Sequence, residues 1–117
     1  MIKDNDLKSR TKKFALLIIY LFRALPKAYE FKVIGNQLLR SGTSVGANTR
    51  AAFRARSDKE FVAKIGIVIE EADESHFWLE LLEEISEGDK SKILDLQKEA
   101  NELTAIFSSI SKKIKSQ

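Results

Sequence analysis

The sequence predicts an all-α protein, an antiparallel up-down four-helix bundle, and three observations lead there. Punctuation is sparse, with one proline and five glycines in 117 residues, so strong helix formers run almost unbroken between a few stops. Apolar residues recur at alternating spacings of three and four, the period of one buried helical stripe. The length suits one domain of roughly 100 to 200 residues, enough to bury a core without staples. The domain is therefore taken as residues 1–117, with no internal repeat and no low-complexity linker.

Helix one is expected from about residue 6 to 24, because Leu25 precedes Pro26 and is biased out of the helical region. Helix two, about residues 30–55, carries Ile34, Leu38, Ser41, Val45, Asn48 and Ala52 on one seam. A break at Gly42 or Gly46 is the rival, each glycine costing about 1 kcal/mol against alanine in a helix interior. The heptad spacing passes through both without a slip, which favours a continuous helix.

Ser57-Asp58-Lys59-Glu60 has the capping-box pattern and opens helix three, about residues 58–87. Its core face is Phe61, Ile65, Val68, Ala72, Ser75, Leu79 and Leu82, and Gly88 suits the left-handed conformation after a helix end. Asp89 can cap helix four, about residues 89–115, whose face is Ile93, Leu96, Ala100, Leu103, Phe107, Ile110 and Ile114. Short connections between long helices give an antiparallel bundle.

Composition excludes several classes. With no cysteine there is neither a disulfide framework nor a thiolate metal site, and a reducing cytoplasm is the expected location. The apolar run from Phe14 to Phe22 is far short of the roughly 20 residues that span a bilayer. Lys12 and Lys13 before that run mimic a signal peptide, yet Arg23 to Lys27 is a poor cleavage site and Asp4 and Asp6 are out of place.

Asp73-Glu74-Ser75-His76 echoes the carboxylate-x-x-His unit of di-iron bundles, but such a site needs two units and the chain has one histidine. No serine has an evident oriented base, and no Gly-Lys-Ser/Thr follows Gly46 to make a P-loop. The chain is expected to be no enzyme and to need no metal or cofactor.

Two features point to partners. Residues 14–69 hold nine Lys or Arg against three acids, whereas residues 70–89 hold nine acids and no base. Opposite blocks are commonly solvated helix faces, but a basic block also suits a polyanion. Arg50 and Arg54 share a helical face, with Arg56, Lys59 and Lys64 following, a stripe able to neutralise phosphates without choosing a sequence; Arg40 joins this candidate set. Positions 14–22 are moreover apolar on every side, and helix three adds Ile67, Trp78, Leu81 and Ile85 off its seam. Apolar surface in excess of one stripe is usually covered by another chain, so Leu16, Ile19, Phe22 and Trp78 are expected at a homo-oligomer interface. The alternative is that they line a wide intramolecular core.

The small residues Ser41, Gly42, Ser44, Gly46 and Ala47 let a neighbouring helix approach closely, and Asn48 and Arg40 are expected to set register by hydrogen bonding, Glu71 or Glu74 being available on helix three. The other possibility for this cluster is a small binding pocket.

Gln37-Leu38-Leu39-Arg40-Ser41, Ser44-Val45-Gly46-Ala47-Asn48, Arg54-Ala55-Arg56-Ser57 with Phe61, Glu71-Ala72 with Glu74, and Trp78-Leu79-Glu80-Leu81-Leu82 together resemble the S23-like bacterial bundle proteins encoded by intervening sequences of 23S ribosomal RNA genes. The resemblance runs from about Leu21 to Leu82 and more weakly over helix four. It implies an up-down four-helix bundle assembled into a ring, commonly a pentamer, with no known enzymatic activity. A more distant similarity is to the accessory variability determinants of diversity-generating retroelements, basic pentameric bundles that associate with nucleic acid and a reverse transcriptase. The partners so implied are further copies of the chain, RNA or DNA, and a nucleic-acid enzyme. The sequence departs from the family pattern at Ala51, where an acid is usual, and at Thr49, where an aromatic or aliphatic residue is frequent. The rival function is a protein-interaction module that docks through the acidic half of helix three.

Overall fold

The computed structural model describes residues 4–117, so the first three residues of the expected domain lie outside the described residues. Four helices follow in order: α1 (Asp4–Ala24), α2 (Tyr29–Ala52), α3 (Asp58–Ile85) and α4 (Ser91–Lys115), with no strand among the described residues. α1 packs on α2, α2 on α3 and α3 on α4, while α1 closes the square on α4 through a much thinner contact. The result is an up-down bundle 48 Å long and 19 Å across.

Each terminus has a local cause. α1 stops before Pro26, as the restriction on the preceding residue requires. Ser57 Oγ accepts the Glu60 amide at 3.1 Å, the serine half of a capping box. α3 ends at Ile85 rather than Glu87, because Ser86 turns extended; Gly88 lies beyond it in the connection, with φ of 78°. Asp89 serves the start of α4 from one residue further out than a simple cap, its Oδ1 accepting the Ser91 amide at 2.9 Å, and Lys90 takes the cap position. That hydrogen bond holds the Asp89 carboxyl below its ordinary value.

α2 is continuous through Gly42 and Gly46, and at those glycines α1 approaches closely. A methyl group built on Gly42 would sit 2.3 Å from Ile18 Cδ1, and one on Gly46 would sit 3.3 Å from the carbonyl oxygen of Thr11. Gly35 plays the same part for Phe22, at 3.1 Å. The glycines thus remove side-chain bulk along the strip of α2 that α1 covers, at the cost of helix propensity.

The buried set on α2 is Gly35, Leu38, Ser41, Gly42, Val45, Thr49 and Ala52. Gly35, Gly42 and Thr49 join the expected seam, while Ile34 packs half-buried against the core and Asn48 is half-buried at its edge, because a helix flanked by both α1 and α3 buries a stripe wider than a two-position seam. Against α3, Ser41 Oγ lies 2.8 Å from Ser75 Oγ, and Ser75 donates to the Glu71 carbonyl oxygen at 2.8 Å. Both serines are fully buried, and no buried side-chain polar atom among the described residues lacks a partner. This matters because an unmet buried hydroxyl costs about 1–3 kcal/mol.

The core between the four helices is built on Phe14, Ile18, Leu38, Ile65, Leu79, Leu82, Leu103 and Phe107, all essentially inaccessible. Full burial of such a side chain contributes about 1.5–3 kcal/mol. Across the thin α1/α4 seam the main polar link is Arg10. Its Nε and Nη2 donate to the two carboxylate oxygens of Glu99 at 2.7 Å each, and Nη2 also reaches Glu102 at 2.7 Å. The hydrogen bond to Glu99, working against partial desolvation, raises the Arg10 pKa and keeps it charged.

Gly66 gives a built-in control for the glycines of α2, since a methyl group there would meet nothing within 4 Å. Urea melts should show Gly66→Ala more stable by about 0.5–1 kcal/mol, and Gly42→Val less stable by about 2 kcal/mol through overpacking against Ile18. Equal effects at both sites would mean that α1 does not depend on the bare surface of α2.

The Asp89 contact makes a second expectation. A depressed carboxyl stabilises the start of α4 above its unfolded pKa of about 3.8, and this support is lost as pH falls through its lower folded value. The Ser91 amide resonance should therefore titrate with a midpoint below that of a free aspartate. Asp89→Asn should abolish the titration.

Candidate nucleic-acid interface

The up-down path brings the start of α1, the end of α2, the start of α3 and the end of α4 to one end of the bundle. Basic residues from all four helices therefore meet there. Arg50 and Arg54, with Arg56, Lys64 and Glu60, line a surface recess of about 570 Å³ floored by Ala47 and Ala51. Arg50 and Ala47 also line a second recess, of about 370 Å³, shared with Lys8, Lys12 and Gly46. Arg56 continues into a third with Ser57, Asp58 and Ile114, next to Lys112, Lys113 and Lys115 in the last turn of α4.

Helix ends explain part of this pattern. The C-termini of α2 and α4 carry partial negative charge and favour the cations in their last turns, whereas the N-terminus of α3 favours its Asp58 and Glu60. Those two acids, with Asp6 in the first turn of α1, temper the end but do not reverse it. Arg50, Arg54 and Arg56 are exposed and keep their fork-shaped donors available to phosphate oxygens, a geometry that suits bidentate contact.

Of the residues singled out in the sequence, Arg50, Arg54, Arg56 and Lys64 are brought together. Lys59 stands on the first turn of α3, exposed but outside the recess lining. Arg40 is not part of this end. It lies midway along α2, where Nη1 donates to Glu71 Oε2 at 3.0 Å and Nη2 to Glu74 Oε2, while Nε reaches Gln37 Oε1 at 3.3 Å. The hydrogen bond to Glu74 is the main cause of its raised pKa. Trp78 Nε1 donates to the same Glu74 oxygen at 3.0 Å, so Arg40, Glu71, Glu74 and Trp78 form one network tying α2 to α3.

Asn48 bonds within its own helix, to the carbonyl oxygen of Ser44 at 3.0 Å and to Ser44 Oγ at 2.8 Å, and makes no cross-helix hydrogen bond among the described residues. The buried polar contact between the two helices is the Ser41 and Ser75 pair instead. Phe53, close to the basic stripe, packs on Phe61 with ring centroids 5.5 Å apart, and both line the recess that Arg56 enters at the α2–α3 corner. His76 sits between α3 and α4, with Nδ1 3.3 Å from Glu80 and Nε2 3.2 Å from Asn101. Among the described residues no group of histidine and carboxylate side chains is placed to hold a metal ion.

The apolar surplus of helix one is divided by the structure. Phe22 is half-buried against Gly35 and Ile19 is half-buried, as is Trp78; Leu16 is exposed. Exposed beside Leu16 are Leu17 and Tyr20, and on α3 Phe77.

Sequence reasoning missed Lys8, Lys12 and the α4 lysines as members of the basic end. Their positions alternate with acids or sit in a terminal run, and only the antiparallel path reveals that they converge.

The family model described as 23S rRNA-intervening sequence protein matches residues 3–109. A crystal structure of a protein of unknown function from the S23 ribosomal protein family of Bacteroides thetaiotaomicron VPI-5482 superposes with a TM-score of 0.85 at 35% sequence identity, covering 95% of this chain and 99% of that one. No functionally curated protein matches the chain. The chain belongs to the 23S rRNA-intervening sequence protein family.

Proposed function

We propose that this protein is a non-enzymatic, cytoplasmic, homo-oligomeric bundle that binds or scaffolds RNA or DNA through its basic end. The observation that carries the reading is the convergence of Lys8, Lys12, Arg50, Arg54, Arg56, Lys64 and the α4 lysines from four helices onto one end of a narrow molecule. A net charge of only +3 understates it, because most of the acids lie along the rest of α3 and on α4, away from that end. Contacts of this kind go to phosphates, release counterions and confer affinity with little sequence choice. Phe53 is packed on Phe61 rather than interleaved among the cations, which favours backbone binding over base stacking. No helix is long and apolar enough to cross a membrane among the described residues.

Self-association enters the reading through the exposed Leu16, Leu17 and Tyr20, which are contiguous on α1. A pentameric ring, the assembly implied by the family resemblance, would multiply the phosphate contacts through avidity, and a nucleic-acid enzyme is the natural further partner. The second reading, a protein-interaction module without nucleic-acid contact, draws on the exposed acids and Phe77 of α3.

Mobility shift or anisotropy against a generic RNA or DNA duplex discriminates them. Affinity should fall steeply as salt rises. Arg50→Glu with Arg54→Glu should weaken binding at least about tenfold and flatten the slope of log K against log salt by about 2. Lys27→Glu with Lys32→Glu, at the opposite end, should change little. Binding that ignores both salt and the arginine substitutions would favour the protein-interaction module.

A further inference from the structure

α2 packs on α1 at one side and on α3 at the other, so its outer side is a corner of the square where two long faces meet. Near the basic end that corner carries Ala47, Arg50, Ala51 and Arg54, at spacings of three and four that share a helical face. The alanines are low ground, and the exposed arginines stand above it. The recess of about 370 Å³ falls away toward α1, which supplies Lys8 and Lys12. The recess of about 570 Å³ falls away toward α3 and holds Arg54, Arg56 and Lys64 with one acid, Glu60, so it is net positive. Arg50 lines both. It is therefore an exposed guanidinium between two hollows, each backed by further cations.

A polyanion that matches this relief has two rows of phosphates with a gap between them. A single strand has one row, and its bases call for aromatic platforms interleaved among the cations, whereas Phe53 is packed on Phe61. A double helix has a row on each side of every groove. The minor groove of B-form DNA is about 6 Å wide and about 7.5 Å deep, room for one arginine side chain, while the major groove, about 12 Å wide, takes a whole helix. α2 is flanked on two sides by α1 and α3, and beside Arg50 its corner is alanine and glycine, with the Asn48 amide turned to Ser44 of its own helix. That corner carries little to read major-groove base edges. In A-form RNA the minor groove is wide and shallow, and the major groove is closed to side chains.

We infer that the basic end straddles the minor groove of double-helical DNA, with Arg50 inserted between the backbones, Lys12 facing one phosphate row and Arg54 and Lys64 the other. The inference rests on the nucleic-acid reading above and names the form of nucleic acid it takes. A sequence preference follows from shape alone. A·T-rich tracts have a narrow minor groove whose concentrated negative potential attracts an inserted arginine. A guanidinium is more weakly hydrated than an ammonium and gives up less on entering. The flanking cations contact phosphates, which fix position and carry no sequence information.

Fluorescence anisotropy at one salt concentration tests this with probes of equal length: a DNA duplex with a central A-tract, an all-G·C DNA duplex, an RNA duplex and a single DNA strand. The A-tract duplex should bind at least about fivefold more tightly than the G·C duplex, the low end of what one base pair contributes to discrimination, and more tightly than the RNA duplex or the single strand. Netropsin, which occupies the A·T minor groove, should displace the protein. Arg50→Lys keeps the charge, so it should keep the salt dependence while losing most of the A-tract preference; Arg54→Lys should keep both. Ala51→Glu sets a carboxylate on the floor beside Arg50 and should weaken A-tract binding several-fold, with circular dichroism confirming that it remains folded. Salt-dependent binding that treats the duplexes alike or favours RNA or the single strand would overturn the minor-groove placement alone. So would an A-tract preference that survives Arg50→Lys or netropsin, or an unchanged affinity in Ala51→Glu. A protein that binds none of the probes would overturn the nucleic-acid reading as well.

Discussion

The close seating of α1 on α2 is the constraint from which the rest of the molecule follows. It exists because Gly42 leaves room for Ile18 and Gly46 leaves room for the Thr11 backbone. A helix can sit that low against only one neighbour at a time. Drawn toward α2, α1 presents its far flank loosely to α4, and the main polar link across that seam is Arg10 with Glu99 and Glu102. A groove between α1 and α4, beside Leu17 and Tyr20, is the geometric remainder of that choice. Glycines that cost helix propensity within the chain thus shape a surface available outside it.

α2 carries both of the contacts that fix register. Its glycine side meets α1, and its other side meets α3 through the Ser41 and Ser75 pair and the Arg40 network. Buried ion pairs are poor sources of stability, and this one is partly exposed, so its contribution is modest. Its value is positional. Arg40 and Trp78 share Glu74, so the orientation of the indole depends on α2 as well as on α3, and Phe77 leans on that indole. A hydrogen-bonded network in the middle of the bundle thereby determines how firmly an aromatic knob is presented on its surface.

Much of the fold was legible because its signals are local. The apolar spacing of α4 and the serine cap of α3 are facts about residues within a turn or two of each other, and both stand in the structure. The continuity of α2 was legible too, since a heptad that crosses two glycines without a slip argues for helix. Features that depend on which helices flank a position were less legible. Thr49 is buried where Asn48 was expected, because α2 has two neighbours and buries two adjoining stripes. Phe22 seemed surplus in the sequence, yet the missing side chain of Gly35 gives it a seat. Arg40 fits two expectations from sequence, a cation of the basic block and a register contact with Glu71 or Glu74, and only the position of α3 decides for the second, with both glutamates engaged. The basic end was visible only as a stripe on α2 and the start of α3; its extension to Lys8, Lys12 and the α4 lysines requires the chain to go up and down, which no window of sequence contains.

The electrostatic polarity of the bundle bears on how the proposed assembly and the proposed nucleic-acid binding would coexist. Copies set side by side with their bundle axes parallel would turn every basic end to the same side of the assembly. Neighbouring ends are then separated by about one bundle width, 19 Å. That is more than twice the Debye length of about 8 Å at physiological ionic strength, so their mutual repulsion is largely screened and costs assembly little. Phosphates engaged directly by arginine forks lie within hydrogen-bonding distance, where screening is weak, and each contact releases condensed counterions. The two distances separate the two effects. Like charges far enough apart to tolerate one another are still close enough for a single polyanion to bridge, so in the proposed assembly the arrangement that repulsion permits would also give a nucleic acid several points of attachment.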